Sequence, residues 1–219
     1  NLINIPAALF FALLINEIAS PFLKKSVQTL TYMPHFISWV VFGGIVITLL
    51  SSDGPINRFL TEIGILSSPI VFMAQPGNFW AIAIISNLIK ELGWSTILYT
   101  AAIAGVDQEL YEAAAIDGAG RFRRMISITI PCIKGTIMIM VIFAVAGMNN
   151  NFDQIYVLQN SFNLERSEVI DTYIYKIGIQ QLQFGMAAAV NITKSFFSLA
   201  LLLLANAIVS KLSDGYGLF

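Results

Sequence analysis

Asn87, Lys90, Glu91 and Trp94 follow one another at helical steps inside the apolar run from Asn78 to Val106. Residues three and four apart share a helix face, so much of this set lines one side. An amide, an ammonium and a carboxylate exchange hydrogen bonds with a polyhydroxylated solute, and Trp94 supplies an apolar platform. A charge near the bilayer centre costs about 2.5–3.5 kcal/mol on insertion scales. Lys90 and Glu91 therefore face either a water-filled path or partners that hold a helix bundle together. A parallel group, Asn191, Thr193, Lys194 and Ser195, lies in the apolar run Met186 to Val209. Lys194 sits about a third of the way in, from where it lines the same path or snorkels to the outer interface. Asn149, Asn150, Asn151 and Asp153 read as a solute or partner contact, or as a solvated helix end.

None of this is catalytic chemistry. The single histidine, His35, reads as interfacial beside Pro34, and the single cysteine, Cys132, as packing beside Pro131. One of each leaves no material for a metal site, a disulfide or a nucleophile–histidine pair. No G-x-x-x-x-G-K-S/T string occurs, so the chain does not hydrolyse ATP itself.

The elements that must position these groups are apolar. The chain is 57% hydrophobic and 11% charged, with mean hydropathy +0.75. Soluble domains carry about 25% charged residues, so this is an all-α integral membrane protein. Its net charge of −1 argues against a nucleic-acid partner. Five spans are expected, at Leu2–Ile18, Phe36–Leu50, Asn78–Val106, Ile133–Met148 and Met186–Val209. The chain opens inside an apolar run without an initiator Met, so a further N-terminal span is expected upstream. Pro21 to Lys25 reads as the exit of the first span, Gln28 to His35 as a polar link, and Pro34 as the start of the next helix. Gly43 and Gly44 allow close helix approach or a kink. Ser51 to Gly77 is expected to be a loop carrying one short interfacial helix, and Phe152 to Tyr175 a second long loop. With spans alternating, one side receives seven basic residues (Lys24, Lys25, Arg121, Arg123, Arg124, Lys134, Lys211) and the other three (Arg58, Arg166, Lys176). The basic side is cytoplasmic, which puts the C-terminus inside. With no internal repeat or linker, residues 1–219 read as one transmembrane domain.

The densest charge lies between the third and fourth spans, in E-A-A-A-I-D-G-A-G-R-F-R-R-M-I-S-I-T-I-P from Glu112 to Pro131. Glu112 through Ala115 are strong, small helix formers. Gly118 then permits a left-handed turn, and a second short amphipathic run leads to Pro131. This string resembles the EAA loop of binding-protein-dependent ABC importer permeases: E-A-A, three residues, G, then I-x-L-P. Glu112, Ala113, Ala114, Gly118, Ile128 and Pro131 hold the motif positions, with Ile130 in place of leucine. Phe152-Asp153-Gln154-Ile155, the segment Tyr173 to Gly178 and the ending K-L-S-D-G-Y-G-L-F are similar to LplB-type oligosaccharide permeases of the carbohydrate-uptake-1 family.

The resemblance implies the type I importer permease fold, with residues 107–131 as a cytoplasmic coupling segment. Glu112, Ala113, Ala114, Asp117, Gly118 and Arg121 would dock on a cytosolic ATPase. Asn87, Lys90, Glu91, Trp94, Asn150, Asp153, Asn191 and Lys194 would line the substrate path. It further implies a multi-pass subunit of the bacterial cytoplasmic membrane, a second homologous permease and two ATPase subunits that bind ATP and Mg²⁺. An extracytoplasmic binding protein would deliver an oligosaccharide, and the chain itself would need no cofactor. Two intramembrane lysines point toward an acidic saccharide such as a uronate oligomer. An importer for another solute, such as an amino acid, phosphate or polyamine, shares the EAA loop. A membrane-anchored scaffold or enzyme would need acid–base or metal chemistry at a membrane face, which the sequence lacks.

Overall fold

The computed structural model describes residues 2–212, and among them every regular element is helical. The all-α expectation is borne out. Backbone in hydrocarbon must satisfy its own hydrogen bonds, which favours helices for such apolar runs. Helix α1 is Asn4–Asn16, α2 Pro21–Tyr32, α3 Trp39–Leu49, α4 Pro55–Glu62, α5 Phe79–Ala104, α6 Gln108–Ile116 and α7 Arg121–Arg124. There follow α8 Ile130–Cys132, α9 Lys134–Ala146, α10 Phe152–Leu158, α11 Leu164–Ser167, α12 Ile170–Tyr175 and α13 Phe184–Leu212.

The five expected spans all contain helix, but they are not alike. Helices α5 and α13, of 26 and 29 residues, extend about 39 and 44 Å and exceed a hydrocarbon core of about 30 Å. Two further stretches are long and apolar enough only as broken pairs: Pro21–Phe36 with Trp39–Leu49, and Arg121–Cys132 with Lys134–Ala146, the second bent by 68°. Helix α1, at 13 residues, covers about 20 Å.

The breaks have local causes. Ser38 is extended and caps α3 by accepting the Val41 N–H at 3.3 Å. Pro34 lies inside the preceding turn Met33–Phe36, so it does not start α3 as expected. The polar link expected at 28–35 is instead largely α2, where Ser20 caps the helix and Pro21 fills its first turn. In the second pair a π turn at Met125–Thr129 and then Pro131 interrupt the ladder. The expected long loop 152–175 is also corrected. It folds as α10, α11 and α12, followed by a π turn at Lys176–Gln180.

Two compact units arise from these elements. The first comprises described residues 2–33, 91–148 and 198–212. Its core joins Ala8, Ala12 and Leu13 of α1 to Tyr99 and Ile103 of α5, with Val106 and Ile133 completing it. Asn4 donates to Ser95 Oγ at 3.1 Å, tying α1 to α5. At Gly93, α5 runs so close to α2 that a Cβ would strike the Thr31 carbonyl.

The second unit comprises residues 34–90 and 149–197. Its core is Met73, Phe79, Ala83, Ile155 and Leu158. Gly43 permits the close approach expected of it: a Cβ there would lie 2.5 Å from Val157 of α10, whereas Gly44 faces open space. The short helix expected within 51–77 is α4. It is stapled by buried Asn57, which donates to the Ser51 and Ile70 carbonyls at 2.7 and 2.8 Å and accepts the Ile70 N–H at 2.9 Å. Asn160 and Asn163 both donate to the Met73 carbonyl, at 3.0 and 3.2 Å, and fix the turn after α10.

Candidate functional site

In the first unit, Asp107 opens the segment 107–131 by capping α6, its carboxylate accepting the Glu109 N–H at 3.0 Å. The helix ends in a Schellman closure. Ala119 N–H donates to the Ala114 carbonyl at 2.8 Å and Gly118 N–H to Ala115 at 3.1 Å. That closure needs the left-handed backbone that Gly118 adopts, with φ of 77°. Tyr111 braces the segment from behind: its hydroxyl lies 2.9 Å from Thr129 Oγ1, and its ring packs against the core. Arg121 reaches Glu17, 3.7 Å away, an exposed pair of little energetic weight.

With its back held, α6 offers a small-residue face outward. Glu112, Ala113, Asp117, Gly118 and Arg121 are exposed and Ala114 is half-buried. Ile116 and Phe122 flank that face, 88% and 74% exposed. A rigid, small-faced helix with apolar flanks suits insertion into a protein cleft. Cys132, expected to pack, is exposed instead.

The second unit contains a cleft of about 570 Å³. Asn150 and Asp153 line it from the start of α10, Lys194 from α13, Asp171 and Tyr175 from α12, and Trp39 from α3. Phe152, Tyr156 and Tyr175 make an aromatic cluster with ring centroids 5.0–5.3 Å apart. Lys194 is paired with the Asp171 carboxylate, and the two side chains retain only 12% and 16% exposure. Of the two readings of Lys194, its place in the cleft and its pairing with Asp171 agree with a lining residue. Charged lining groups are two carboxylates, Asp153 and Asp171, and one ammonium, Lys194.

The remaining path residues are distributed differently. Lys90 is buried; it donates to the His35 carbonyl at 2.7 Å and lies 5.4 Å from the centroid of Trp39, the ring that lines the cleft. Asn87 donates to Gln154 Oε1 at 3.5 Å. Glu91 and Trp94 belong to the first unit, and Trp94 is 46% exposed. Asn191 is exposed on α13. The structure thus gathers Asn150, Asp153 and Lys194 in one cleft, with Lys90 behind its Trp39 wall.

Two important residues escaped the sequence reading. Asp171 lies 23 residues before Lys194, and no local spacing links them. Gln154 belongs to the Phe152–Ile155 string, but its task is visible only in three dimensions: it is buried and donates to the Ala83 carbonyl and Ser86 Oγ at 2.5 and 3.4 Å. The string from Phe152 to Ile155 thus divides its labour around one turn, as aromatic wall, cleft carboxylate, staple to α5 and core.

Residues 4–214 match the family described as binding-protein-dependent transport system inner membrane component. The chain belongs to that family. This inner membrane component is 40% identical over 216 residues to Protein LplB of Bacillus subtilis (strain 168), covering 98% of the present chain and 67% of LplB. It is 40% identical over 211 residues to the polygalacturonan/rhamnogalacturonan transport system permease protein YteP of the same organism, covering 95% and 65%. The chain thus spans about two thirds of the length of these relatives. A chain of a bacterial ABC transporter involved in import of the acidic polysaccharide alginate superposes with TM-score 0.92 at 37% identity, over 97% of this chain and 74% of that one. The same transporter class is also seen in complex with an alginate pentasaccharide-bound periplasmic protein, at TM-score 0.92 and 36% identity, over 98% and 74%. The resemblance to LplB-type importer permeases is borne out.

Proposed function

We propose that residues 1–219 act as a single transmembrane permease domain of an ATP-driven importer that carries an oligosaccharide by alternating access. The observation that carries this reading is the braced, outward-facing α6 with its Schellman stop at Gly118, in a chain of the inner membrane component family. Glu112, Ala113, Ala114, Asp117, Gly118 and Arg121 dock on a cytosolic ATPase. Closure of two such subunits around ATP and Mg²⁺ displaces the segment 107–131. Helix α5 leads into that segment and carries Asn87 and Lys90 near its middle, so displacement reaches these residues along one continuous helix. A second homologous permease completes the pathway, and an extracytoplasmic binding protein delivers the sugar. The excess of Lys and Arg supports a cytoplasmic coupling segment and C-terminus.

An oligosaccharide bearing carboxylates is the substrate class favoured. YteP is named for polygalacturonan/rhamnogalacturonan and the matching solved transporter for alginate, an acidic polysaccharide. These names favour a sugar over an amino acid, phosphate or polyamine. Reconstitution of the complete transporter with Glu112→Arg tests the docking role. ATP hydrolysis is expected to persist while uptake of an oligouronate is lost and the membrane-inserted amount is unchanged. Wild-type uptake by that variant would remove Glu112 from the docking contact.

A further inference from the structure

The favoured substrate and the cleft disagree in sign. An acidic sugar carries negative charge, whereas the cleft lining carries two carboxylates and one ammonium. The ammonium is also engaged, since Lys194 is held by Asp171 with little of either side chain exposed. Both partners nevertheless line the same cleft, so the pair forms part of its wall.

We infer that Asp171 is an internal stand-in for the substrate carboxylate: it occupies Lys194 while the cleft is empty and yields it when an acidic sugar enters. This inference rests on the proposal that the chain carries acidic oligosaccharides. Its physical basis is the cost of the alternative. An ammonium left without a counter-charge inside a membrane protein is expensive, so a lysine kept for an anionic ligand needs a partner between transport cycles. A resident carboxylate meets that need, and it lowers affinity as well, because the incoming carboxylate must compete with it. For a transporter that lowering is useful, since a sugar held too tightly would not be released.

The position of Asp171 suits exchange. It begins α12, and Tyr175 follows one turn later on the same helix and lines the same cleft. Tyr175 also belongs to the aromatic cluster with Phe152 and Tyr156. A sugar ring resting on that cluster would lie in the cleft that Asp171 and Lys194 also line. Asp153, also lining the cleft, disfavours a carboxylate placed elsewhere and so orients the sugar.

The test uses the complete reconstituted transporter, with oligogalacturonate and oligomannuronate trimers to pentamers as acidic probes and malto-oligosaccharides of equal length as neutral ones. Asp171→Asn releases Lys194, and the acidic-to-neutral ratio of uptake efficiency is expected to rise about ten-fold, the scale of one charge-assisted hydrogen bond. Lys194→Met is expected to lower that ratio by about as much; should it fail to accumulate, Lys194→Arg keeps the charge and is expected to keep the ratio. An unchanged ratio in Asp171→Asn overturns the stand-in, as does an unchanged ratio in Lys194→Met that inserts correctly. If the wild type carries neutral probes and rejects the acidic ones, the substrate proposal fails, and the inference falls with it. If the wild type carries acidic probes and Asp171→Asn leaves the ratio unmoved, only the inference fails.

Discussion

Gly118→Ala separates the shape of the proposed coupling segment from its mere presence. The backbone at Gly118 has φ of 77°, and a Cβ built there has no neighbour within 4 Å. The substitution therefore creates no clash, and its whole cost is the left-handed conformation, about 1–2 kcal/mol for a residue with a Cβ. Two outcomes compete. If the Schellman bonds from Ala119 and Gly118 survive, the strain is absorbed and coupling stays intact. If they give way, α6 runs on past Ile116 and its exposed face turns relative to the Tyr111 brace. Those two bonds are solvent-facing and together worth little more than the strain, so the stop is expected to be lost in a large share of molecules. A change of 1–2 kcal/mol shifts such an equilibrium roughly 5- to 30-fold. The assay is sugar uptake per ATP hydrolysed in proteoliposomes, together with amide exchange across residues 108–119. Gly118→Ala should insert normally, lose exchange protection at Ala119 and show a several-fold lower coupling ratio. Asn tolerates the left-handed region better than Ala, so Gly118→Asn should recover most of the ratio. Equal coupling in wild type and Gly118→Ala would refute the reasoning, as would an Asn variant no better than Ala.

Gly93→Ala, in the same unit, should behave in the opposite way. The new methyl meets the Thr31 carbonyl and the Tyr32 amide, which are backbone and cannot rotate aside. Overpacking of this kind costs about 1–3 kcal/mol, read as reduced membrane accumulation and earlier aggregation in detergent, with a near-normal coupling ratio in whatever inserts. In the second unit Asn57→Ala removes three hydrogen bonds. At about 1 kcal/mol each this predicts a loss of about 3 kcal/mol, seen as a lower Tm in detergent and faster proteolysis between Ser51 and Gly77.

What the sequence discloses depends on the range of the interaction behind each feature. Gly118 is legible because a helix stop is local: small helix formers, a glycine and a following polar turn lie within a few residues. The same holds for α4, announced by Gly54-Pro55 and a short apolar run. Apolar runs mark helix in all five expected spans, because hydrocarbon admits only self-satisfied backbone. Composition does not mark where such a helix breaks, and the extended residue Ser38 was read as helix interior. The π turn at Met125–Thr129 likewise has no composition signature. The segment 152–175 reads as loop because its helices are short, with amphipathic stretches too brief to show a period. Asn160 and Asn163 are poor helix formers in isolation, yet here they cap and pin the turn after α10.

Long-range pairings account for the rest. Lys90 and Lys194 both fall within expected spans, and sequence assigns them one role. The structure gives them different ones. Lys90 is held by the His35 carbonyl and lies over the Trp39 ring. Lys194 is held by the Asp171 carboxylate at the cleft wall, where a second carboxylate offers the same chemistry and can substitute for the first. On the proposed acidic substrate, charge recognition is assigned to Lys194, whose carboxylate partner lines the same cleft. The same proposal gives Lys90 a different task, acting on the cleft through Trp39, the ring that a neutral or an acidic sugar would meet alike. Substituting Lys90 should accordingly change uptake of both probe classes together, in contrast to the ratio change expected at Asp171 and Lys194.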